Sequence, residues 1–237
     1  MKKILKKAVS ITLAICLTFS AGSTSQAFSN VTNDTNYYLE NLSNQFDTMT
    51  AEELNQYIGD NIQELENQNS QSLNQIPCNK STSTKVSAIW LAGAKYMEKK
   101  GNTCTAKLLE YSVLGKNYTE TQISPNGLFA KKIVTSSAFT SYLKKVKNNK
   151  APAGIAFEKS DNADLFYALH YTDASTKVNF AGTVLATYNV TITDTFDFSL
   201  STDDYKDIIT TSANNYAWFS QNTGALNVID VKISFTK

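Results

Sequence analysis

Residues 183–193 read TVLATYNVTIT, a stretch in which polar residues alternate with β-branched and aromatic ones from Thr187 onwards. A period of two is typical of a strand with one buried face. The stretches AGIAFE (153–158), DLFYALHY (164–171), KVNFAG (177–182) and VIDVKISF (228–235) have a similar composition and are bounded by Asp, Asn and Gly. The chain after Pro152 therefore predicts an antiparallel sheet.

Helical patterns precede this sheet. Residues 85–101 and the segment from Thr103 to Gly115 predict a helical hairpin, whose helices end at Gly101 and Gly115. A further helix is expected from Ser136 to Lys147, and a late one interrupts the strands over about 202–221. The pattern indicates an α+β fold, with N-terminal helices followed by an antiparallel sheet on which the late helix packs.

The N-terminus has the three parts of an export signal. Lys2, Lys3, Lys6 and Lys7 are basic, residues 8–19 are apolar, and Ser25-Gln26-Ala27 fits a cleavage site. The apolar run is shorter than the ~20 residues of a membrane span, so cleavage is favoured over a retained anchor. A lipoprotein is disfavoured because the bulky Ile15 precedes Cys16. We therefore expect a secreted protein with no stable membrane span after signal removal.

The segment after the signal has the pattern of a helical arm. Thr50-Ala51-Glu52-Glu53 matches a capping box, and the following helix would have one apolar face. Residues 67–84, NQNSQSLNQIPCNKSTST, are polar and predict a linker. Three parts are expected: the export signal over 1–27, the helical arm and polar linker over 28–83, and the α+β domain over 84–237.

Composition excludes several classes of ligand. The net charge is +1, and every basic residue other than His170 is a lysine. Since planar bidentate recognition of phosphate is mostly the work of arginine, nucleic-acid binding and phosphoryl transfer are not expected. Phosphate-cradling glycine loops and zinc-ligand spacings are absent from the sequence, so we expect no cofactor and no metal.

Two cysteines, Cys78 and Cys104, follow the predicted signal. An even pair in an oxidising compartment predicts a disulfide, which would join a loop to a helix and close a loop of roughly 25 residues. The alternative is two unpaired thiols, of which one is buried.

Acidic residues cluster in VTITDTFDFSLSTDDYKDI, residues 190–208. Asp203 and Asp204 suit the first turn of the late helix. Asp194 and Asp197 would lie on opposite faces of a strand, which is poor geometry for a glycosidase pair. Asp194 shares its face with apolar residues, and it either ties down a turn or has a function.

His170 is the only histidine. A neighbouring strand could bring Asp194 beside it, and such a pair could serve as a general base for a Ser or Thr nucleophile. His170, Asp194 and Asp197 are therefore the candidate catalytic residues. The alternative is a half-buried histidine that is hydrogen-bonded within the sheet.

Two resemblances are present. The region 164–235, with DLFYALH, TDTFDF and NNYAWFSQNTGALNVIDVKI, resembles the C-terminal layout of small exported proteins of Gram-positive bacteria that have no assigned activity. The string from Asp194 to Phe198 is similar to the Asp-x-Tyr-Asp-Phe of colicin M-like toxins that cleave lipid II, with Phe196 in place of Tyr. Neither resemblance carries a catalytic role to this chain.

Two functions are consistent with these sequence features. The first is a secreted module that binds an unknown protein or a cell-envelope ligand through aromatic residues and through Asn, Ser and Thr, which hydrogen-bond sugars. The second is a secreted hydrolase or antibacterial effector that uses His170 with Asp194. Convergence of these two side chains in a cleft would favour the hydrolase.

Overall fold

The computed structural model describes residues 33–50, 52–54, 56–57, 59–60, 80–148, 150, 152–181, 185–198, 214, 216–218, 220–222 and 224–237. The predicted export signal, Cys78 and the Asp203–Asp204 pair lie outside these residues. The chain forms two compact units. The first unit comprises Met1–Tyr96, Val113–Gly115 and Asp197–Asn227, and the second comprises Met97–Ser112, Lys116–Phe196 and Val228–Lys237.

The first unit is helical. Helix α1 (Asn33–Thr48) and helix α2 (Lys80–Lys99) pack through a cluster of Leu39, Leu42, Phe46 and Ala92. The predicted capping box is confirmed, because Thr50 N donates to Glu53 Oε2 at 2.9 Å and Glu53 N donates to Thr50 Oγ1 at 3.2 Å. The described residues between 214 and 222 are helical, as predicted, and Tyr216 among them stacks on Trp90.

The predicted ends of the two helices at Gly101 and Gly115 are confirmed. Helix α2 begins at Lys80, earlier than predicted, and ends before Gly101, whose φ is +84°. Gly101 N donates to Glu98 O and Asn102 N donates to Met97 O, both at 2.9 Å, which is a Schellman motif. Helix α3 (Thr103–Leu114) ends at Gly115, where φ is +62°.

The second unit is built on a five-stranded sheet with the order β1-β5-β4-β3-β2. Its strands are β1 (Tyr118–Gln122), β2 (Gly154–Ala156), β3 (Tyr171–Ala181), β4 (Leu185–Phe196) and β5 (Ile229–Thr236). Strands β2 to β5 are antiparallel neighbours, as predicted. Strand β1, which was not predicted, pairs parallel to β5, so the sheet is mixed.

Helices α4 (Leu128–Ile133), α5 (Ser137–Lys147) and α6 (Ala163–Leu169) belong to the same unit. The start of α5 confirms the expectation from the sequence, because the Ser136 side chain accepts a hydrogen bond from Phe139 N. Phe139 of α5 packs against Phe235 of β5, with 5.7 Å between ring centroids. We call this side of the sheet the inner face. Its buried residues in β4 and β5 are Val190, Ile192, Phe196, Ile229, Val231, Ile233 and Phe235.

The prediction of a strand over 164–171 is wrong, because most of this stretch is helix α6. Asn162 caps it by accepting a hydrogen bond from Leu165 N at 3.0 Å, and Asp164 lies in the first turn. The period of a short apolar run does not distinguish a strand from a buried helix. Here the cap at Asn162 marks the start of a helix.

Alternation along the strands leaves the opposite, outer face polar. In β5, Asp230 and Lys232 are exposed between buried Ile229, Val231 and Ile233. In β3, Asp173, Ser175 and Lys177 are exposed on the same side. No helix of the described part of the chain is both long and apolar enough to cross a membrane.

Candidate functional site on the outer face of the sheet

The outer face of the second unit has rows of hydroxyl and amide side chains. The strand registers align these residues from β3 across β4 and β5 to β1, so each row runs perpendicular to the strands. Neighbouring rows are about 7 Å apart, which is two residues along a strand. The three rows are Asp173–Thr193–Lys232–Thr119, Ser175–Thr191–Ser234–Thr121 and Lys177–Asn189–Thr236.

Hydrogen bonds between neighbouring strands order part of this face. Thr191 Oγ1 lies 3.4 Å from Ser234 Oγ, and Thr236 Oγ1 donates to Asn189 Oδ1 at 2.9 Å. Thr119, Thr121 and Thr193 are exposed and present their hydroxyls to solvent. The formal charges balance, since Asp173 and Asp230 oppose Lys177 and Lys232. The face therefore offers many neutral donors and acceptors with no net charge.

Tyr171 adds an aromatic ring at one end of the outer face, two residues before Asp173 in β3. Its side chain is 59% exposed, which is high for a residue that pairs within a sheet. A Cβ on its neighbour Gly154 would lie 3.0 Å from Cζ and Oη of the ring and 2.2 Å from Thr172 O. Glycine at 154 thus allows the ring to lie close against the β2 backbone as an exposed platform.

His170 connects α6 to β3. It is the only described residue other than glycine with a positive φ, at +42°, and its carbonyl accepts a hydrogen bond from Phe157 N at 2.7 Å. The exposed imidazole contacts the Phe166 ring edge-on, with 4.9 Å between ring centroids. Among the described residues, none of the hydrogen bonds or ion pairs of His170 reaches a carboxylate. The observed role of His170 is to turn the backbone from helix to strand.

The two predicted carboxylates lie on different parts of the chain. Asp194 is half-buried in β4, where it pairs with Val231 of β5, and its Oδ1 accepts from Thr195 N at 2.9 Å. Asp197 is exposed after the end of β4 and belongs to the first unit. The structure does not join either carboxylate to His170 by a hydrogen bond.

The predicted disulfide is not found. Cys104 is a free thiol with 0% exposure in the first turn of α3, and its Sγ lies 3.8 Å from Leu128 O. Burial raises the pKa of the Cys104 thiol, and the nearby Asp164 carboxylate raises it further. The thiol is therefore held protonated among second-unit residues. Cys78 lies outside the described residues.

Asp164, buried in α6, binds the N-terminus of α3. It accepts hydrogen bonds from Cys104 N at 2.8 Å and from Thr105 N at 2.9 Å, and Thr105 Oγ1 donates to it at 2.8 Å. Lys132 Nζ lies 2.6 Å from Asp164 Oδ2. Burial alone would raise the pKa of Asp164, but these hydrogen bonds outweigh it and hold the pKa below its usual value.

Two further carboxylates bind helix N-termini in the same way. Buried Glu120 of β1 accepts from Phe129 N at 3.1 Å and Ala130 N at 2.9 Å in α4, and from Tyr118 Oη at 3.0 Å. Burial and the charge of Glu120 raise the pKa of Tyr118. Exposed Asp161 accepts from Ser137 N and Ala138 N at the start of α5. Burial acts to raise the pKa of Asp161, but these hydrogen bonds together outweigh it and lower the pKa. Glu120 and Asp161, like Asp164, therefore stabilise the fold by capping helices.

Sequence reasoning missed Glu120 and misplaced Asp164. Helix α3 begins at Thr103, as predicted, but its N-terminus is capped by Asp164, which is 60 positions from Cys104 and 59 from Thr105 along the chain. No local spacing signals such a cap. The alternation in TVLATYNVTIT and VIDVKISF did contain the signal for the outer face, because its exposed positions are mostly Thr, Ser and Asn.

Within the described ranges, no group of three or more His, Cys, Asp or Glu side chains could hold a metal ion. The comparisons with known proteins gave no relative: neither the protein-family models, nor the curated proteins, nor the solved structures include a match to this chain. The choice of the outer face and Tyr171 as the candidate site therefore rests on their geometry alone.

Proposed function

We propose that this protein is an exported binding module that holds a polyhydroxylated polymer of a bacterial cell envelope on the outer face of its sheet. The export signal and the resemblance to small exported proteins of Gram-positive bacteria support the location. The observation that carries the proposal is the exposed Tyr171 ring beside ordered rows of hydroxyl and amide side chains.

The chemistry of the face fits sugar or polyol units. Hydroxyl groups of such a ligand both donate and accept hydrogen bonds, as do Thr, Ser and Asn side chains. An aromatic ring offers an apolar surface for the C–H face of a sugar together with a polar tip. The balanced charge of Asp173, Asp230, Lys177 and Lys232 matches a ligand segment that is itself uncharged.

Co-sedimentation with purified Gram-positive cell walls tests this proposal. Replacement Tyr171→Ala removes the aromatic platform and is expected to weaken binding about tenfold. Thr193→Arg, which inserts a long side chain into the central row, is expected to block binding while the fold is retained. Tyr37→Ala is the matched control, because Tyr37 is also exposed, at 71%, and lies in α1 of the first unit.

Binding by both outer-face variants at the level of the native protein would contradict the proposal. Circular dichroism spectra and thermal midpoints equal to the native ones are required of each variant, so that a loss of binding reports the surface and not unfolding.

One observation favours the alternative function, a secreted hydrolase or antibacterial effector. A non-glycine residue with a positive φ stores backbone strain, and such residues concentrate at functional sites. His170 is such a residue. Under this hypothesis, His170→Ala and Asp194→Ala each abolish wall hydrolysis or toxicity on export, whereas retained activity in Asp194→Ala eliminates the proposed pair.

A further inference from the structure

Four lysines lie at the C-terminal end of α5. Lys144, Lys145 and Lys147 are in its last turn, and Lys150 follows it. Lys150 N donates to Lys145 O at 2.9 Å, which holds the residues after the helix against its end. All four side chains are exposed.

The sheet brings a fifth lysine to the same end of the unit. Lys147 Nζ lies 5.7 Å from the centroid of the Tyr188 ring in β4. Tyr188 pairs with Val178 of β3, and exposed Lys177 precedes Val178 and points to the opposite, outer face. We call Lys144, Lys145, Lys147, Lys150 and Lys177 the lysine patch.

None of the patch lysines forms an ion pair with a described carboxylate. The ion pairs Lys95–Glu40, Lys107–Glu110 and Lys132–Asp164 involve lysines outside the patch. The acidic residues of β3, β4 and β5 lie towards the other end of the sheet, at the start of β3, the end of β4 and the start of β5, and Glu120 of β1 is buried. Asp173 is four residues from Lys177, or about 13 Å along the strand. The other two are Asp194 and Asp230.

The composition of the whole unit agrees with this separation. The second unit contains 14 lysines against 9 acidic residues, which is a formal surplus of five positive charges. Lysines in the last turn of a helix also stabilise its dipole, and that effect alone would explain three of the five. It does not explain Lys150 or Lys177, which lie outside the helix.

From this arrangement we propose that the lysine patch binds the phosphate groups of a linear phosphodiester polymer whose repeating units are sugars or alditols. The inference rests on the proposed function and names the class of its ligand. Lys177 belongs to the row Lys177–Asn189–Thr236 of the outer face, whereas Lys147 contacts Tyr188 on the inner side, so the patch spans the β3 edge at this end of the sheet. A polymer that passes around this edge can place uncharged units on the hydroxyl rows and phosphates on the lysines.

The character of the patch favours this occupant. Lysine ammonium groups are point charges on flexible stems, which suit spaced phosphates and do not require the fork of arginine. A membrane surface or a folded protein partner would need apolar anchors among the lysines. The exposed large apolar residues of the described chain all lie elsewhere: Tyr37, Ile123, Leu128, Tyr171 and Val228.

The test uses the full exported chain and two wall samples, one untreated and one stripped of its phosphodiester polymers with hydrofluoric acid. A poly(glycerol phosphate) oligomer is the soluble probe. The affinity of the native protein for this oligomer is expected to fall roughly 30-fold or more between 50 and 200 mM salt, as counterion release at several phosphates requires.

The charge variant is Lys144→Gln, Lys145→Gln and Lys147→Gln together. It should bind the oligomer at least about tenfold more weakly and bind stripped walls as the native protein does. Lys116→Gln, Lys131→Gln and Lys159→Gln together form the matched control, since these lysines are equally exposed and outside the patch. The control should change oligomer affinity by less than about twofold.

Unchanged oligomer affinity in the charge variant overturns the inference, as does an affinity that does not depend on salt. Equal affinity for duplex DNA at the same phosphate concentration, or for vesicles of anionic lipid, overturns the assignment to this polymer class. A native protein that binds stripped walls but not the oligomer refutes this inference and leaves the proposed function in place. Binding to the oligomer with no effect of Tyr171→Ala on stripped walls refutes only the outer face as the site.

Discussion

The same strands form the inner and outer faces of the sheet, but charged residues are buried and hydrogen-bonded on the inner side and exposed on the outer side. On the inner side, buried Glu120 and Asp164 are fully engaged by helix N-termini, a tyrosine hydroxyl and a lysine. On the outer side, Asp173, Lys177 and Lys232 are exposed among hydroxyl groups. Charge on the inner side serves the fold, whereas charge on the outer side remains available to a ligand.

This difference follows from solvation. A carboxylate taken out of water loses several kcal/mol of hydration and must be surrounded by donors, so a buried charge is tied to fixed partners. An exposed charge keeps its hydration and contributes little to stability. Substitutions on the inner side should therefore affect folding, and substitutions on the outer side should affect binding.

The largest effect is expected from Asp164→Ala. The substitution leaves Lys132 without its partner and the Cys104 and Thr105 amides without an acceptor. Breaking a buried pair in this way costs about 3–5 kcal/mol of unfolding free energy. Urea unfolding measures it, with Glu110→Ala as the control, because the Glu110–Lys107 pair is exposed on both sides. Equal losses in the two variants would contradict the distinction between the faces.

Glu120→Ala is expected to cost somewhat less, about 2–3 kcal/mol, because no cation is left behind. The Phe129 and Ala130 amides and the Tyr118 hydroxyl lose their common acceptor. Release of that carboxylate should also return the pKa of Tyr118 towards its usual value, which an ultraviolet titration of the tyrosines detects. A stability loss below that of Asp161→Ala would show that Glu120 is dispensable.

Acid should remove the contribution of Asp164. Its pKa is lower in the folded chain than its ordinary value of 3.8, so the folded state favours the ionised form. This stabilisation is complete above about pH 5 and is lost as the pH falls through the folded pKa. The difference in unfolding free energy between native protein and Asp164→Asn should therefore shrink below pH 4. A difference that stays constant down to pH 2 would argue against an ionised Asp164.

Asp161→Ala should cost only about 0.5–1 kcal/mol, since it removes an exposed cap from α5 that water can replace. Ser136 also caps this helix and stays in place. Thermal unfolding monitored by circular dichroism provides the measurement. A loss as large as that of Asp164→Ala would mean that burial does not set the strength of these carboxylate caps.

The smallest change is expected at Cys104. In a Cys78→Ser variant, Cys104 should stay unlabelled by iodoacetamide while the protein is folded, because the thiolate is the nucleophile and burial keeps this thiol protonated. Labelling should appear in urea with the unfolding transition. In the chain with both cysteines, a mass two hydrogens lower than that of the reduced form would reveal the disulfide that was first expected.

Local patterns were sufficient for much of the fold. The sequence correctly placed the capping box at Thr50 and Glu53, the glycine ends of α2 and α3, the start of α5 at Ser136 and, to within three residues at each end, the strands β4 and β5. Strand β3 begins at Tyr171, six residues before its predicted start. Each depends on contacts within a few residues or on the period of a single element. The outer face follows from that same period once the sheet is assumed.

Other features required the tertiary structure. Strand β1 is short and polar, and only its pairing with β5 makes it a strand. The sequence predicts a strand over 164–171, which would place His170 and Asp164 in one strand, although His170 ends helix α6 and Asp164 lies in its first turn. Lys177 lies at the same end of the sheet as the lysines of α5 only because β3 pairs with β4 beside Tyr188.

The sequence by itself determined the α+β class, the helix ends and the alternation that makes one sheet face polar, because these properties are set by neighbouring residues and by strand geometry. The tertiary structure decided which carboxylates are buried, which thiol is inaccessible and where the lysines gather. Those properties depend on residues that are far apart in the chain, such as Cys104 and Asp164, which are 60 positions apart, and no local pattern encodes their approach.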